Sequence, residues 1–172
     1  NRYNFEVIFR YLDSFLKSIN AQENVTLVVH DWGSGLGFHW ANLNPKSVKG
    51  IAYMEAIVMP LTWNDWPESA RGIFKGFRSP KGEGLVLDRN MFVEAVLPSS
   101  IIRTLTNDEM ASYRAPFKTP EDRQPMLNWP RQIPIDGTPA HMTSIVESYA
   151  NFMAENSIPK LFINADPGSI LV

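Results

Sequence analysis

Cysteine does not occur in the 172 residues, which excludes disulfides, thiolate metal ligands and a thiol nucleophile, and leaves the redox compartment open while leaning to an intracellular enzyme. No apolar run approaches the length of about 18 residues that a membrane-spanning helix needs. Nor does the chain open on basic residues followed by an apolar stretch. Neither a transmembrane helix nor a signal peptide is expected, and the sequence reads as soluble and cytoplasmic. Positive charge is not concentrated anywhere: 16 Lys and Arg against 18 Asp and Glu leave a formal charge of −2, which argues against nucleic acid or an anionic membrane as partner. Histidine is scarce as well, with His30, His39 and His141 the three present.

What is present is ordinary globular material, 44% hydrophobic and 20% charged, enough for a folded core. Phe5, Ile8, Phe9, Leu12, Phe15, Leu16 and Ile19 recur at three and four spacing, so a helix is expected over residues 5–19. The apolar run Val25 to Val29 reads as a strand buried on both faces. A short helix is expected over 36–42, stopped by Asn44-Pro45, and a second strand over 48–54. Strand, helix and strand make one βαβ unit.

Beyond Ala56 the pattern changes to an aromatic and proline loop over 59–67. Helical segments follow near 70–77 and 91–97, with a turn at 80–84 between them. Thr106 and Glu109 have the capping-box spacing for a helix over 107–113. Six prolines between Pro116 and Pro139 argue against any regular element there. Helical spacing returns over 143–155, and 159–163 reads as a last strand. The expected organisation is α/β over 1–56, a helical insertion over 57–140 acting as a lid, and a return to α/β over 141–172. The opening inside a helical pattern and the stop soon after a core strand read as an internal piece of a longer protein.

Between the first strand and its helix lies His30-Asp31-Trp32-Gly33-Ser34-Gly35-Leu36-Gly37. In a parallel α/β sheet such a turn holds side chains out beyond the carboxyl ends of the strands, where ligands bind. Asp31 at this turn is either a helix cap or a reactive carboxylate. Trp32 offers one N–H donor and no acceptor, which suits either a core position or an anion. Glu55 ends the next strand and so returns to the same sheet edge. Asp166, after the last strand, competes with Glu55 for the part of a supporting acid, and Asp166-Pro167-Gly168 also reads as a turn.

Taken together, His30-Asp31-Trp32-Gly33, Met54-Glu55-Ala56 and Thr62-Trp63-Asn64-Asp65-Trp66-Pro67-Glu68 resemble the haloalkane dehalogenases of the α/β-hydrolase superfamily, and also the related Renilla-type luciferases. The likeness continues through Asn90-Met91-Phe92-Val93-Glu94, Tyr113-Arg114-Ala115-Pro116-Phe117, Trp129-Pro130-Arg131 and Pro159-Lys160-Leu161-Phe162. It implies an α/β-hydrolase fold with a helical cap inserted after the strand that ends at Glu55. It further implies a hydrolase that acts on carbon–halogen bonds. Asp31 would be the nucleophile, since a carboxylate is ionised at neutral pH and needs no base for the first step. Trp32 would stabilise the departing halide and lend its backbone N–H to an oxyanion. Glu55 would be the catalytic acid behind a histidine base. Phe74, Phe92, Val96, Pro130 and Ile133 would line an apolar pocket. Ser69, where relatives often carry an aromatic, points to a roomier pocket mouth. Val29, larger than the residue usual two before the nucleophile, tightens the elbow.

The resemblance implies a small apolar halogenated substrate, a halide ion as product, water as co-substrate, and no cofactor or metal. None of the three histidines falls where the family carries its base, so by this reading the catalytic His is not in this chain. The piece alone is then expected to be incapable of turnover. Alternatives from the same scaffold are a coelenterazine luciferase and an epoxide hydrolase, the latter needing ring-activating tyrosines such as Tyr113 or Tyr149. A dinucleotide-binding βαβ unit has the right element order but lacks the fingerprint, because Phe38 stands where its third glycine belongs after Gly33 and Gly35.

Overall fold

The computed structural model describes residues 3–166 and Gly168. The described chain divides into two compact units, one over Ser69–Arg131 and one formed by the segments that end at Glu68 and resume at Gln132.

The larger unit is an α/β layer. Helix α1 (Phe5–Ser18) begins where the Asn4 side chain accepts the Val7 N–H at 2.9 Å, and buries Phe5. Strand β1 (Val25–His30) leads directly into α2 (Asp31–Leu43). The expected helix over 36–42 therefore starts five residues earlier and runs through all three glycines. Glycine lowers helix propensity, but burial selects it here: a Cβ on Gly37 would lie 2.9 Å from Val29 Cγ1. Glycine at 37 lets α2 lie against β1 despite the bulk of Val29.

Strand β2 (Val48–Ala56) pairs in parallel with β1, from Val25 opposite Val48 to His30 opposite Met54. On its other edge it pairs in parallel with β3 (Lys160–Phe162), giving the order β1-β2-β3. Helix α7 (Ala140–Glu155) packs against α2, and Phe38 of α2 meets Tyr53 edge-on at 5.6 Å and Tyr149 at 5.7 Å. Burying a side chain such as Phe38 contributes about 1.5–3 kcal/mol.

One expectation for β1 needs correction. The strand is buried on one face only: Thr26, Val28 and His30 are exposed among the described residues, Val28 to 72%, while Val25, Leu27 and Val29 are half-buried. Leu27 and Val29 are the residues beside Gly37 of α2. In register, Val28 stands beside Ala52 and Leu161, so the exposed Val28 and Leu161 share an apolar row with the half-buried Ala52. With Thr26 the one polar residue in Val25–Val29, the run carries too little alternation from which one-face burial could be read.

The second unit is helical. It holds α3 (Glu68–Arg78, whose first residue belongs to the larger unit), two π-helical turns (Gly84–Asp88 and Phe92–Val96), α4 (Leu97–Ser99), α5 (Asn107–Arg114) and α6 (Gln124–Gln132, whose last residue belongs to the larger unit). Phe77, Val86, Val93, Met110, Met126 and Leu127 form its core. The capping box at α5 is present in both directions, Thr106 Oγ1 accepting from the Glu109 N–H and Glu109 from the Thr106 N–H. The turn expected at 80–84 is already helical at Gly82 and Glu83.

The expected absence of regular structure over 116–139 is overturned by α6. Pro125 occupies its first turn, where the missing N–H has no intrahelical partner to lose. Pro130 falls near its end and forfeits one bond, while its carbonyl accepts from Arg78 Nη1 at 2.7 Å. Arg131 in turn donates to the Phe77 and Ser79 carbonyls at 3.0 and 3.2 Å, satisfying the carboxyl end of α3.

The helical unit is shorter at both ends than residues 57–140. Leu61 and Ile135 form a parallel bridge, with Leu61 N–H on the Pro134 carbonyl and Asp136 N–H on the Leu61 carbonyl, both at 2.9 Å. This stitches both flanks of the insertion into the α/β unit.

Candidate active site

Asp31 and Glu55 lie at the carboxyl ends of adjacent parallel strands. The β1–β2 register continues past His30 into a bridge between Asp31 and Ala56, which sets Asp31 beside the residue that follows Glu55. Both acids have left-handed backbone, Asp31 at φ 47° and Glu55 at φ 39°. Such conformers cost on the order of 1–3 kcal/mol at a non-glycine residue and cluster at functional sites. At residue 31 the conformer bends the chain sharply from β1 into α2. Asp31 is exposed at this elbow, whereas Glu55 is half-buried with its Oε1 shielded from solvent.

Trp32 is half-buried. Its ring lies over Gly35, where an added Cβ would approach Cε3 to 3.4 Å, and faces Phe5 at 6.1 Å. The Trp32 backbone N–H belongs to the first turn of α2, where donors have no partner four residues back. His30 precedes the helix as its N-cap and makes no side-chain capping bond.

Ser34 was not singled out from the sequence. It is wholly buried, donates from Oγ to the Asp31 carbonyl at 2.5 Å and accepts the Ile57 N–H at 2.9 Å. The signal becomes visible once α2 is known to begin at Asp31, because Ser34 is then one turn along the same helix. Tyr149 donates its hydroxyl proton to the Ile57 carbonyl at 2.6 Å, and burial pushes that phenol far above its ordinary pKa. Its single proton is thereby committed to the backbone, which removes it as a ring-activating acid. Tyr113 is exposed in the helical unit.

The other histidines lie away from this edge. His39 packs between Phe5 and Phe9, 5.6 and 4.5 Å between ring centres, and burial lowers its pKa. His141 stands at the surface 3.5 Å from Glu6. Among the pocket residues, Phe74, Phe92, Val96 and Pro130 belong to the helical unit and Ile133 to the α/β unit. Phe74 meets Phe92 at 6.4 Å and Phe77 at 5.8 Å, and Phe92 and Val96 are partly buried against that unit's core. Ser69 is exposed on α3. Asp166 is exposed; Pro167 of the expected turn lies outside the described residues. No group of three or more His, Asp or Glu among the described residues is arranged to hold a metal ion.

Residues 1–80 match the α/β-hydrolase fold family. A haloalkane dehalogenase of Sphingobium indicum is 55% identical over 161 residues, covering 93% of this chain and 54% of that protein. The haloalkane dehalogenase of Mycolicibacterium smegmatis is 47% identical, covering 93% and 52%. The crystal structure of a haloalkane dehalogenase from Bradyrhizobium elkani superposes with a TM-score of 0.91 at 42% identity, covering 99% of this chain and 60% of that one. Over nearly all of its length the chain is similar to haloalkane dehalogenases. It has the α/β-hydrolase fold and spans about half the length of the curated dehalogenases it matches. No helix among the described residues is long and apolar enough to cross a membrane.

Proposed function

We propose that the whole protein to which this chain belongs hydrolyses small haloalkanes to alcohol and halide. The observation that carries the reading is the pair of acids, Asp31 and Glu55, held with left-handed backbone at neighbouring strand ends. An Asp31 oxygen attacks the carbon that bears the halogen, a C–O bond forms as the C–halogen bond breaks, and the halide leaves with the bonding pair. The Trp32 indole N–H donates to the departing halide. Water then adds to the carbonyl carbon of the Asp31 ester, and the Trp32 backbone N–H stabilises the oxyanion. A histidine outside this chain takes the proton from that water, with Glu55 supporting its imidazolium. The bond from the acyl carbon to the alkoxide oxygen then breaks, the imidazolium returns its proton to the alkoxide, and the alcohol departs as the Asp31 carboxyl gives its proton to solvent. Water is the co-substrate and no cofactor takes part.

In this reading the helical unit is the cap. Phe74, Phe92, Val96 and Pro130 of the helical unit supply an apolar lining suited to a small halogenated substrate. The fit with cytoplasmic enzymes rests on the absence of cysteine from the sequence.

Halide release from 1-bromobutane by the full-length protein tests the assignment. Asp31→Asn removes the ionised nucleophile and should lower release by roughly 10⁴-fold or more, as losing a nucleophile does elsewhere. Unchanged release would overturn Asp31 as nucleophile. Light from coelenterazine without halide release would favour the luciferase reading.

A further inference from the structure

Backbone held in the left-handed region at a residue other than glycine persists only where its surroundings over-determine it. For Asp31 and Glu55 those surroundings converge on one hydroxyl. Ser34, with no exposed surface, gives its single proton to the Asp31 carbonyl and receives the N–H of Ile57, two residues beyond Glu55. Ile57 is held from its other side as well, its carbonyl accepting the Tyr149 hydroxyl. The chain between these anchors carries the Asp31–Ala56 bridge.

We infer that Ser34 is a positioning residue whose hydroxyl ties the elbow bearing Asp31 to the strand end bearing Glu55, and so fixes how the two acids stand relative to each other. This rests on the hydrolytic function proposed above. The hydroxyl acts on both acids through backbone alone. Its O–H fixes the peptide that follows Asp31, which sets the direction of attack. Its lone pair fixes the peptide preceding Ile57, which sets where Glu55 meets the base. Alanine at 34 removes both bonds and leaves a carbonyl and an N–H buried without them.

Three variants of the full-length protein test this: Ser34→Ala, Ser34→Thr, which keeps the hydroxyl, and Tyr149→Phe, which frees the Ile57 carbonyl without touching Ser34. Ser34→Ala should lower kcat for halide release by about 10–100-fold with KM little changed, the penalty of a misplaced reacting group. The acid limb of its kcat–pH profile should move to lower pH, since a histidine less well supported by Glu55 loses its proton more easily. Ser34→Thr should recover most of kcat, and Tyr149→Phe should shift the acid limb in the same direction by a smaller amount.

A Ser34→Ala protein with lowered Tm but wild-type kcat and pH profile would make Ser34 purely structural and overturn the inference. So would a Ser34→Thr protein as slow as Ser34→Ala at wild-type Tm. Should Ser34→Ala fail to fold, Tyr149→Phe decides: an unmoved acid limb overturns the inference and a moved one supports it. Absence of halide release from the unmodified protein would overturn the hydrolytic function and this inference with it.

Discussion

Adding one methyl group at residue 37 probes how the elbow is built. In a solvent-exposed helix interior, glycine to alanine stabilises by about 1 kcal/mol. At Gly37 the new Cβ would stand 2.9 Å from Val29 Cγ1, with Leu27 Cδ1 at 3.8 Å behind it. Valine is stiff at χ1, so the overlap is relieved by moving α2 off β1, and such overpacking costs about 1–3 kcal/mol. The clash outweighs the propensity gain, and Gly37→Ala should destabilise by about 1 kcal/mol, the difference between those two effects. In a Val29→Ala background the obstructing methyls are gone, and the same substitution should stabilise by up to about 1 kcal/mol. Gly33 on the same helix has nothing within 4 Å of its would-be Cβ, so Gly33→Ala serves as a control and should not destabilise. Urea unfolding of the full-length protein and its variants completes the double-mutant cycle. An equal effect of Gly37→Ala in both backgrounds would refute the close packing of α2 on Val29.

Two further perturbations follow from particular side chains. Gly82→Ala would drive a Cβ to 2.1 Å from the Phe77 carbonyl oxygen. Because the obstacle is backbone, no rotamer relieves it, and a loss of about 3 kcal/mol or more is expected; a thermal melt within 1 or 2 °C of the parent, against the several degrees such a loss implies, would contradict it. Burial lowers the pKa of His39, whose Nδ1 is buried with no hydrogen-bond partner among the described residues. The unfolded chain then binds more protons than the folded one below the ordinary value near 6.5. The contribution of neutral His39 is therefore complete above that pH and lost as pH falls through the lowered folded value. His39→Leu should flatten stability against pH in that window, and a wild-type slope in the variant would show that His39 is not responsible.

Much of the chain was readable because the information was local. Helix α1 follows from three and four spacing, and α5 from Thr106 and Glu109 three residues apart. The nature and order of Asp31, Trp32 and Glu55, and their place where strands end, also lay in the chain itself. Helix α6 was not readable, because proline counts say nothing of where each proline falls in a turn, and Pro125 falls where its missing N–H costs little.

Sequence alone determined the chemistry on offer: no thiols, three histidines, and two acids separated by one helix and one strand. It could not determine features that depend on groups far apart in the chain. The close packing of α2 on β1 requires Val29 beneath Gly37. The neck of the insertion requires Leu61 to meet Ile135 across 135 − 61 = 74 positions. The link from Ser34 to Ile57, and from Ile57 to Tyr149, requires α2, β2 and α7 to be packed together. Left-handed backbone at Asp31 and Glu55 belongs with these, because neither residue favours that conformer by itself and only contacts made on folding hold it.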